Sequence, residues 1–213
     1  MLRTVRRPGL AGAVGAAFLA LSLWSASAAA AAPAPVGEVL ALVGTATVTR
    51  ESGSLPLAEG AVVFAEDRVT TGVSSRIEIG LSDGSTLTIG ESSRVFLPRF
   101  APNPGGGNAL LELLEGILRI DLMPDGVWRS FDVRTYTAVA SVRSTEWVIE
   151  AKTATTGVFV VRGQVQVTDR VGRGAVLLDA GFGSDVAFGA LPTPAKRWGA
   201  ARAASAVART SMP

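Results

Sequence analysis

From Val36 onward, hydrophobic and polar residues alternate with a period of two in many short runs. The pattern is clearest in Arg76–Leu81 and Ile117–Leu122. Similar runs occupy Ala46–Arg50, Ser85–Ile89, Phe131–Arg134, Val158–Val161, Gln164–Thr168 and Ala175–Leu178. Because successive side chains of a strand point to opposite faces of a sheet, the period predicts strands with one buried and one exposed face.

Turn sequences separate these runs. They are Ser52-Gly53, Ser82-Asp83-Gly84, Pro124-Asp125-Gly126, Arg162-Gly163 and Val171-Gly172-Arg173-Gly174. Short strands spaced about 8–12 residues apart, with no helical pattern between them, are typical of all-β folds. We therefore predict an antiparallel β-sandwich, a jelly-roll-like fold or a β-roll, with an N-terminal signal helix and a short C-terminal helix or tail.

Residues 1–28 have the organisation of a secretory signal peptide. A basic start is followed by the apolar stretch Leu10–Trp24 and by the small-residue cleavage pattern Ala26-Ser27-Ala28. Fifteen helical residues span only ~22 Å, which is less than the ~30 Å hydrocarbon core of a bilayer. We expect cleavage near Ala28 and a periplasmic or otherwise exported protein. An uncleaved inner-membrane anchor, extended by the alanines up to Ala32, is the alternative.

The rest of the chain divides into three parts. Residues 29–35 form an Ala/Pro linker, residues 36–190 the β domain, and residues 191–213 a basic, Ala-rich tail. The tail is expected to be a terminal helix that docks through Trp198 or stays loose. Contact of its arginines with an anionic membrane surface is the alternative.

The charge distribution argues against a nucleic-acid partner. The chain has a net charge of +2, but several of its basic residues lie at the two ends. Residues 33–194 carry 13 basic and 18 acidic side chains, a net charge of −5. A folded part that is mildly acidic does not favour binding to phosphate backbones.

The absence of Cys and His narrows the available chemistry. It excludes disulfides, thiolate zinc sites and His-assisted nucleophiles, so that carboxylates are the remaining catalytic groups. Glu146 and Glu150 share one face of a regular strand, and Glu112 and Glu115 are expected to flank a turn. Such pairs serve glycosidases when they lie ~5–10 Å apart across a cleft, but solvated strand faces also produce them. We assign no catalytic, cofactor-binding or metal-binding residue, expect no cofactor, and predict that the protein is not an enzyme.

Three other groups have structural interpretations. Asp67 and Asp83 stand beside tight turns, where a carboxylate bonds the backbone two residues on. The fork of Arg143 is expected to bind a carboxylate such as Glu146 or Asp132. The aromatic residues Trp128, Phe131, Tyr136 and Trp147 are expected to build core, and two exposed together would instead indicate a glycan or protein site.

A series of short motifs runs in a fixed order through Val36–Val186. It comprises Val43-Gly44-Thr45-Ala46-Thr47-Val48, Pro56-Leu57-Ala58-Glu59-Gly60, Glu66-Asp67-Arg68-Val69-Thr70-Thr71-Gly72, Asp83-Gly84-Ser85, Leu113-Leu114-Glu115-Gly116-Ile117-Leu118, Thr135–Trp147, Val161-Arg162-Gly163-Gln164-Val165 and Asp179-Ala180-Gly181. The series resembles the FecR domain, an exported β-rich module of iron-transport regulators. Within the stretch Thr135–Trp147, Tyr136 stands where the family has proline and Ser144 where it has glycine. If that glycine has a positive φ, Ser144 is strained.

The resemblance also bears on function. Regulators of this family place a sigma-factor-binding region ahead of a membrane helix, and the nine residues before the apolar stretch are too few for one. We therefore predict a stand-alone exported FecR-like domain. It would act as a non-catalytic periplasmic protein-binding, sensory or scaffolding module whose partner is an envelope protein of unknown identity. The alternatives are a peptidoglycan- or polysaccharide-binding module using aromatics near Trp128 and Trp147, and a carboxylate glycoside hydrolase using Glu146 and Glu150.

Overall fold

The structure is a computed structural model that describes residues 35–103, 106–124, 127–142 and 144–213. This part of the chain forms seventeen strands and one helix. The strands are β1 (Pro35–Val43), β2 (Ala46–Arg50), β3 (Gly53–Pro56), β4 (Val62–Phe64), β5 (Arg68–Thr71), β6 (Arg76–Leu81), β7 (Thr86–Ile89), β8 (Arg94–Ala101), β9 (Gly107–Asp121), β10 (Trp128–Arg134), β11 (Ala138–Val142), β12 (Glu146–Lys152), β13 (Thr155–Arg162), β14 (Gln164–Asp169), β15 (Ala175–Asp179), β16 (Phe182–Ala187) and β17 (Lys196–Arg197), and the helix is α1 (Ala200–Ala208). The predicted all-β fold is confirmed.

The strands form one continuous sheet that folds over into two layers. The first layer has the order β4-β1-β6-β7-β9-β12-β13-β16-β17. The second has the order β3-β2-β5-β8-β9-β10-β11-β14-β15. Alternate side chains of both layers point inward and pack into one apolar core, in which Phe131 and Trp147 are fully buried.

Strand β9 belongs to both layers. Its residues up to Glu115 pair with β8, and its residues from Gly116 onward pair with β12. Gly116 has φ +103°, and a Cβ atom there would lie 2.1 Å from Ser93 Oγ, so only glycine fits where the strand changes layers. Ser93 Oγ accepts a hydrogen bond from the Ile117 amide at 3.0 Å and fixes the crossing.

The crossing explains one parallel pairing. Among the pairings of the described strands, all are antiparallel except that of β9 with β10. The first half of β9 lies in the second layer and its second half lies in the first layer. The chain then re-enters the second layer at Trp128, the first residue of β10, which lies beside Gly107, the first residue of β9. A full turn of the chain brings the two strands side by side in the same direction. The prediction of a purely antiparallel arrangement is corrected at this one pair.

The C-terminal segment, residues 196–213, covers the outer face of the first layer. Trp198 is 8% exposed and stacks on Phe159, with their ring centroids 5.1 Å apart. Ile117, Val148 and Ala206 complete this second, smaller core. Two ion pairs hold the segment: Arg202 with Asp185, with one contact of 2.9 Å, and Arg209 with Glu150 at 3.0 Å. The tail thus docks through Trp198, and these two arginines bind carboxylates of the sheet.

Other sequence expectations have mixed outcomes. Glu112 and Glu115 do not flank a turn, because both lie within β9, where the strand continues until it changes layers. Residues 1–28 and most of the linker lie outside the described residues, so signal peptide and cleavage remain predictions. No helix of the described residues is long and apolar enough to cross a membrane.

Candidate binding surface

The two outer faces of the sandwich differ. The face of the first layer is covered in large part by the C-terminal segment, whereas that of the second layer carries half-buried or exposed polar side chains. Members of this second face include Thr70 on β5, Ser130 and Asp132 on β10, Ser141 on β11 and Gln166 on β14. Their inward-pointing neighbours are buried. The second face therefore presents hydroxyl, amide and carboxylate groups to solvent.

A groove crosses this face where β11 ends. Strand β10 pairs with β11 only from Phe131 onward, and β14 pairs with β11 only from Gln166 onward. The first residues of β10 and β14 consequently lie on opposite sides of a gap. The gap opens into a groove of about 630 Å³. Its lining comprises Arg129, Ser130, Asp132, Ser141, Val142, Ser144, Thr145, Gly163, Gln164, Gln166 and Leu177.

Hydrogen bonds fix the walls of the groove. On the β10 side, Ser130 Oγ donates to Asn108 Oδ1 at 3.2 Å. On the β14 side, Gln164 Nε2 donates to Asp179 Oδ1 at 2.7 Å. The Thr145 hydroxyl donates to the Gln164 carbonyl at 2.9 Å and joins the turn after β11 to the β14 side of the groove. Walls fixed in this way present their polar groups in a constant arrangement.

The start of β10 is anchored from below by Asp83. The Trp128 indole N–H donates to Asp83 Oδ2 at 2.5 Å, and the Ser85 amide donates to Asp83 Oδ1 at 3.1 Å. The second bond is the predicted contact with the backbone two residues on, so the turn role of Asp83 is confirmed. Asp83 therefore also positions Arg129 and Ser130, which follow Trp128.

Asp67 has a different role from the one predicted. It is 2% exposed and accepts a hydrogen bond from the Phe64 amide, three residues earlier, at 2.9 Å. The fork of Arg50 donates to both of its oxygens, at 2.6 and 2.7 Å. The hydrogen bond from Arg50 to Asp67 raises the pKa of that guanidinium. Asp67 thus ties β2 to the turn before β5.

The candidate catalytic carboxylates lie on the first layer, away from the groove. Glu146 and Glu150 share the outer face of β12, as expected from their spacing. Each is bound by a cation: Glu146 accepts hydrogen bonds from Arg119, and Glu150 pairs with Arg209 at 3.0 Å. In the part of the chain that the structure describes, no three acidic side chains gather as a metal site. The geometry of these carboxylates fits structural ion pairs.

The aromatic residues do not form an exposed platform. Trp128 and Trp147 are 6% and 0% exposed, so a glycan site built on them is ruled out by their burial. Phe131 is also core, as predicted, and its ring packs edge-on against Trp128 at 5.5 Å. Tyr136 is the exception, since about half of its surface is exposed. The ion pair predicted for Arg143 lies outside the described residues.

The groove is a feature that sequence reasoning missed. Its residues come from the four strands β10, β11, β14 and β15 and from the turns that follow β11 and β13, and none of them stands out in composition. The available signal was the motif stretch Thr135–Trp147, which supplies the wall formed by Ser141, Val142, Ser144 and Thr145. The groove offers both donors and acceptors of hydrogen bonds, together with one cationic side chain, Arg129, and one anionic side chain, Asp132. Such a lining suits an extended, polar segment better than a reacting bond.

Comparison with known proteins identifies the domain. Two crystal structures of a "putative anti-sigma factor" from Parabacteroides distasonis ATCC 8503 share its fold, with TM-scores of 0.55 and 0.54 and 18% sequence identity in each case. The alignments cover 66% of this chain but 63% and 64% of those chains, which is less than two thirds of their length. No curated protein matches the sequence. The family model described as FecR protein matches residues 67–166, which include every lining residue of the groove except Leu177. The sequence resemblance is thereby confirmed, and the chain carries a FecR domain at residues 67–166.

Proposed function

We propose that this protein is a non-catalytic, exported module of the cell envelope that binds another protein in a sensory or scaffolding role. The observation that carries the proposal is the FecR domain at residues 67–166. The likeness of its fold to a protein described as a "putative anti-sigma factor" supports a regulatory role that acts through protein contact. The partner itself is an envelope protein whose identity is open.

The contact surface in this proposal is the groove of the second layer. An extended partner segment in the groove would exchange hydrogen bonds with the side chains of Ser130, Ser141 and Gln166. Specificity would come from Arg129 and Asp132, which present opposite charges on one wall. The groove is already formed and its walls are tied by hydrogen bonds, so binding would cost little ordering of the module.

A blocking variant tests the groove. Ser141→Arg places a long, charged side chain in the groove, and Thr70→Arg makes the same change on β5, elsewhere on that face. In photo-crosslinking from envelope extracts, with the probe at Gln166, we expect one dominant adduct for the wild type and for Thr70→Arg. Ser141→Arg should lose it. An adduct that survives Ser141→Arg, or that Thr70→Arg also abolishes, would refute the assignment of the groove.

Export is tested separately. We expect the protein in the periplasmic fraction with a mature N-terminus at Ala29, following cleavage after Ala28. Replacing Ala26 and Ala28 by bulky residues should leave the full-length precursor attached to the membrane, because signal peptidase requires small residues there. N-terminal sequencing and protease accessibility in spheroplasts measure both results. A full-length, protease-protected wild-type protein would refute export.

A further inference from the structure

Four turns lie together at one end of the sandwich and form a surface that we name the turn cluster. It consists of residues 134–137, 152–155, 170–174 and 188–191. Backbone hydrogen bonds connect its parts: the Arg170 amide donates to the Thr137 carbonyl at 3.0 Å, and the Phe188 amide donates to the Ala154 carbonyl at 2.9 Å. The Arg173 side chain donates to the Gly189 carbonyl at 2.9 Å. The four turns therefore form one continuous surface.

The turn cluster exposes large apolar side chains at its tips. Phe188 is 76% exposed and Val171 73%, and more than half of the surface of Leu191 and Tyr136 is exposed as well. Single exposed apolar residues are ordinary on protein surfaces, but four on adjoining turns are not. The exposed apolar side chains of the turn cluster therefore mark a site of contact with another surface.

The charge of the turn cluster has one sign. Its four turns contain Arg134, Lys152, Arg170 and Arg173 and no acidic residue, and two of these cations contact carboxylates beside the cluster: Lys152 Nζ lies 3.8 Å from Glu150, and Arg173 pairs with Asp169. The neighbouring Asp169 is 2% exposed, and its carboxylate accepts hydrogen bonds from the Arg173 side chain and the Gly174 amide. The opposite end of the sandwich carries both signs, and Asp121 there pairs with Arg162 at 2.7 Å. The cluster therefore attracts an anionic surface.

The turn cluster is supported from beneath by buried hydroxyl groups. The hydroxyls of Thr135 and Thr137 both contact the Thr156 hydroxyl, at 2.7 and 2.6 Å. These bonds join the β10–β11 turn in the second layer to β13 in the first. The apolar tips are thus held on a fixed scaffold, and little conformational entropy would be lost on contact.

We propose that the turn cluster docks the domain on the surface of an anionic lipid bilayer. Apolar side chains on the tips of turns can enter the headgroup region, while arginine and lysine side chains between them reach the lipid phosphates. Cationic residues lie on the same turns as Tyr136 and Val171, so an anionic lipid surface would engage both kinds of side chain at once. This membrane contact is independent of the groove and goes beyond the proposed partner binding.

Vesicle flotation tests the proposal with the processed protein and two vesicle compositions, phosphatidylcholine alone and phosphatidylcholine with phosphatidylglycerol. We expect binding to the anionic vesicles that falls with added salt. The pair Phe188→Ser and Val171→Ser should lower the partition coefficient by about tenfold, because it removes most of the inserting apolar surface. Arg170→Gln should lower binding to anionic vesicles by about fivefold.

Matched control variants show whether a loss of vesicle binding is specific to the turn cluster. The pair Leu40→Ser and Leu55→Ser removes two apolar side chains of β1 and β3 that are about half exposed, and Arg129→Gln removes a charge from the groove. Both should leave vesicle binding unchanged, and so should Ser141→Arg. Absence of wild-type binding to anionic vesicles would overturn the proposal, as would equal losses in the controls. Retention of an envelope protein by the turn cluster without vesicle binding would overturn it in favour of a protein contact.

Discussion

At the scale of single residues, Glu66 holds an unfavourable backbone conformation. It has φ +72°, a region that costs residues with a Cβ atom about 1–2 kcal/mol and glycine almost nothing. Glu66→Gly should stabilise the protein by about 0.5–1 kcal/mol after the added freedom of the unfolded chain is subtracted. Urea unfolding measures the change. Glu51→Gly, at an exposed position without positive φ, should be neutral or destabilising, and equal gains in both variants would contradict the explanation.

Gly116 combines a positive φ with a lack of space. Gly116→Ala should destabilise the protein by about 3 kcal/mol or more, because strain adds to the overlap with Ser93. Gly53 offers a matched control, since it has φ +118° but no atom within 4 Å of the position that a Cβ atom would take. Gly53→Ala should cost about 1 kcal/mol, the strain alone. Similar losses in the two variants, measured by urea unfolding, would show that the crossing of β9 tolerates a side chain.

At the scale of elements, local pattern predicts a strand well when one face of the strand is buried. β2 and β6 have the bounds that the alternation indicates, and predicted strands at 164–168 and 175–178 coincide with β14 and β15 to within one residue. The first half of β9 was missed because Leu110 and Leu114 interrupt the alternation on its outer face. Its passage from one layer to the other depends on Ser93, a residue distant in sequence. The groove could not be predicted from the local sequence pattern either, because it arises where β11 ends between β10 and β14.

We expect the attachment of the C-terminal segment to the first layer to depend on pH. The hydrogen bond from Arg202 lowers the pKa of the Asp185 carboxyl, against the opposing effect of desolvation and with help from the charges of Arg202 and Lys196. Because the folded pKa is depressed, the stabilisation is complete above the ordinary pKa of 3.8 and is lost as the pH falls through the folded value. Asp185→Asn should therefore cost up to about 1 kcal/mol at neutral pH, a modest value for a partly exposed pair.

The difference in unfolding free energy between the wild type and Asp185→Asn should stay constant above about pH 5 and shrink as the pH falls below the ordinary carboxyl pKa. Urea unfolding at pH 7, 5 and 3 measures it. Arg202→Gln removes the donor of the same hydrogen bond, and its difference in unfolding free energy from the wild type should show the same dependence on pH. A difference that stays constant down to pH 3 would show that the Asp185 carboxylate does not hold the segment.

At the scale of the whole molecule, the shared strand β9 couples the two layers. Both layers contribute to one apolar core, and neither retains a complete sheet if β9 is removed, because β9 pairs with β7 and β12 in one and with β8 and β10 in the other. A domain of this construction should unfold in a single cooperative step. Sandwiches whose layers share no strand have no such constraint through the backbone.

Native-state hydrogen exchange distinguishes coupled from independent layers. The amides of Phe131 and Val133 on β10 report on the second layer, and those of Val148 and Ile149 on β12 report on the first. If β9 couples the layers, both groups should exchange with the same free energy of opening, and it should equal the free energy of unfolding measured with urea. Gly116→Ala should lower both values by the same amount, because it strains the shared strand. Opening of one layer at a free energy lower by about 2 kcal/mol or more would mean that the layers unfold separately despite the strand they share.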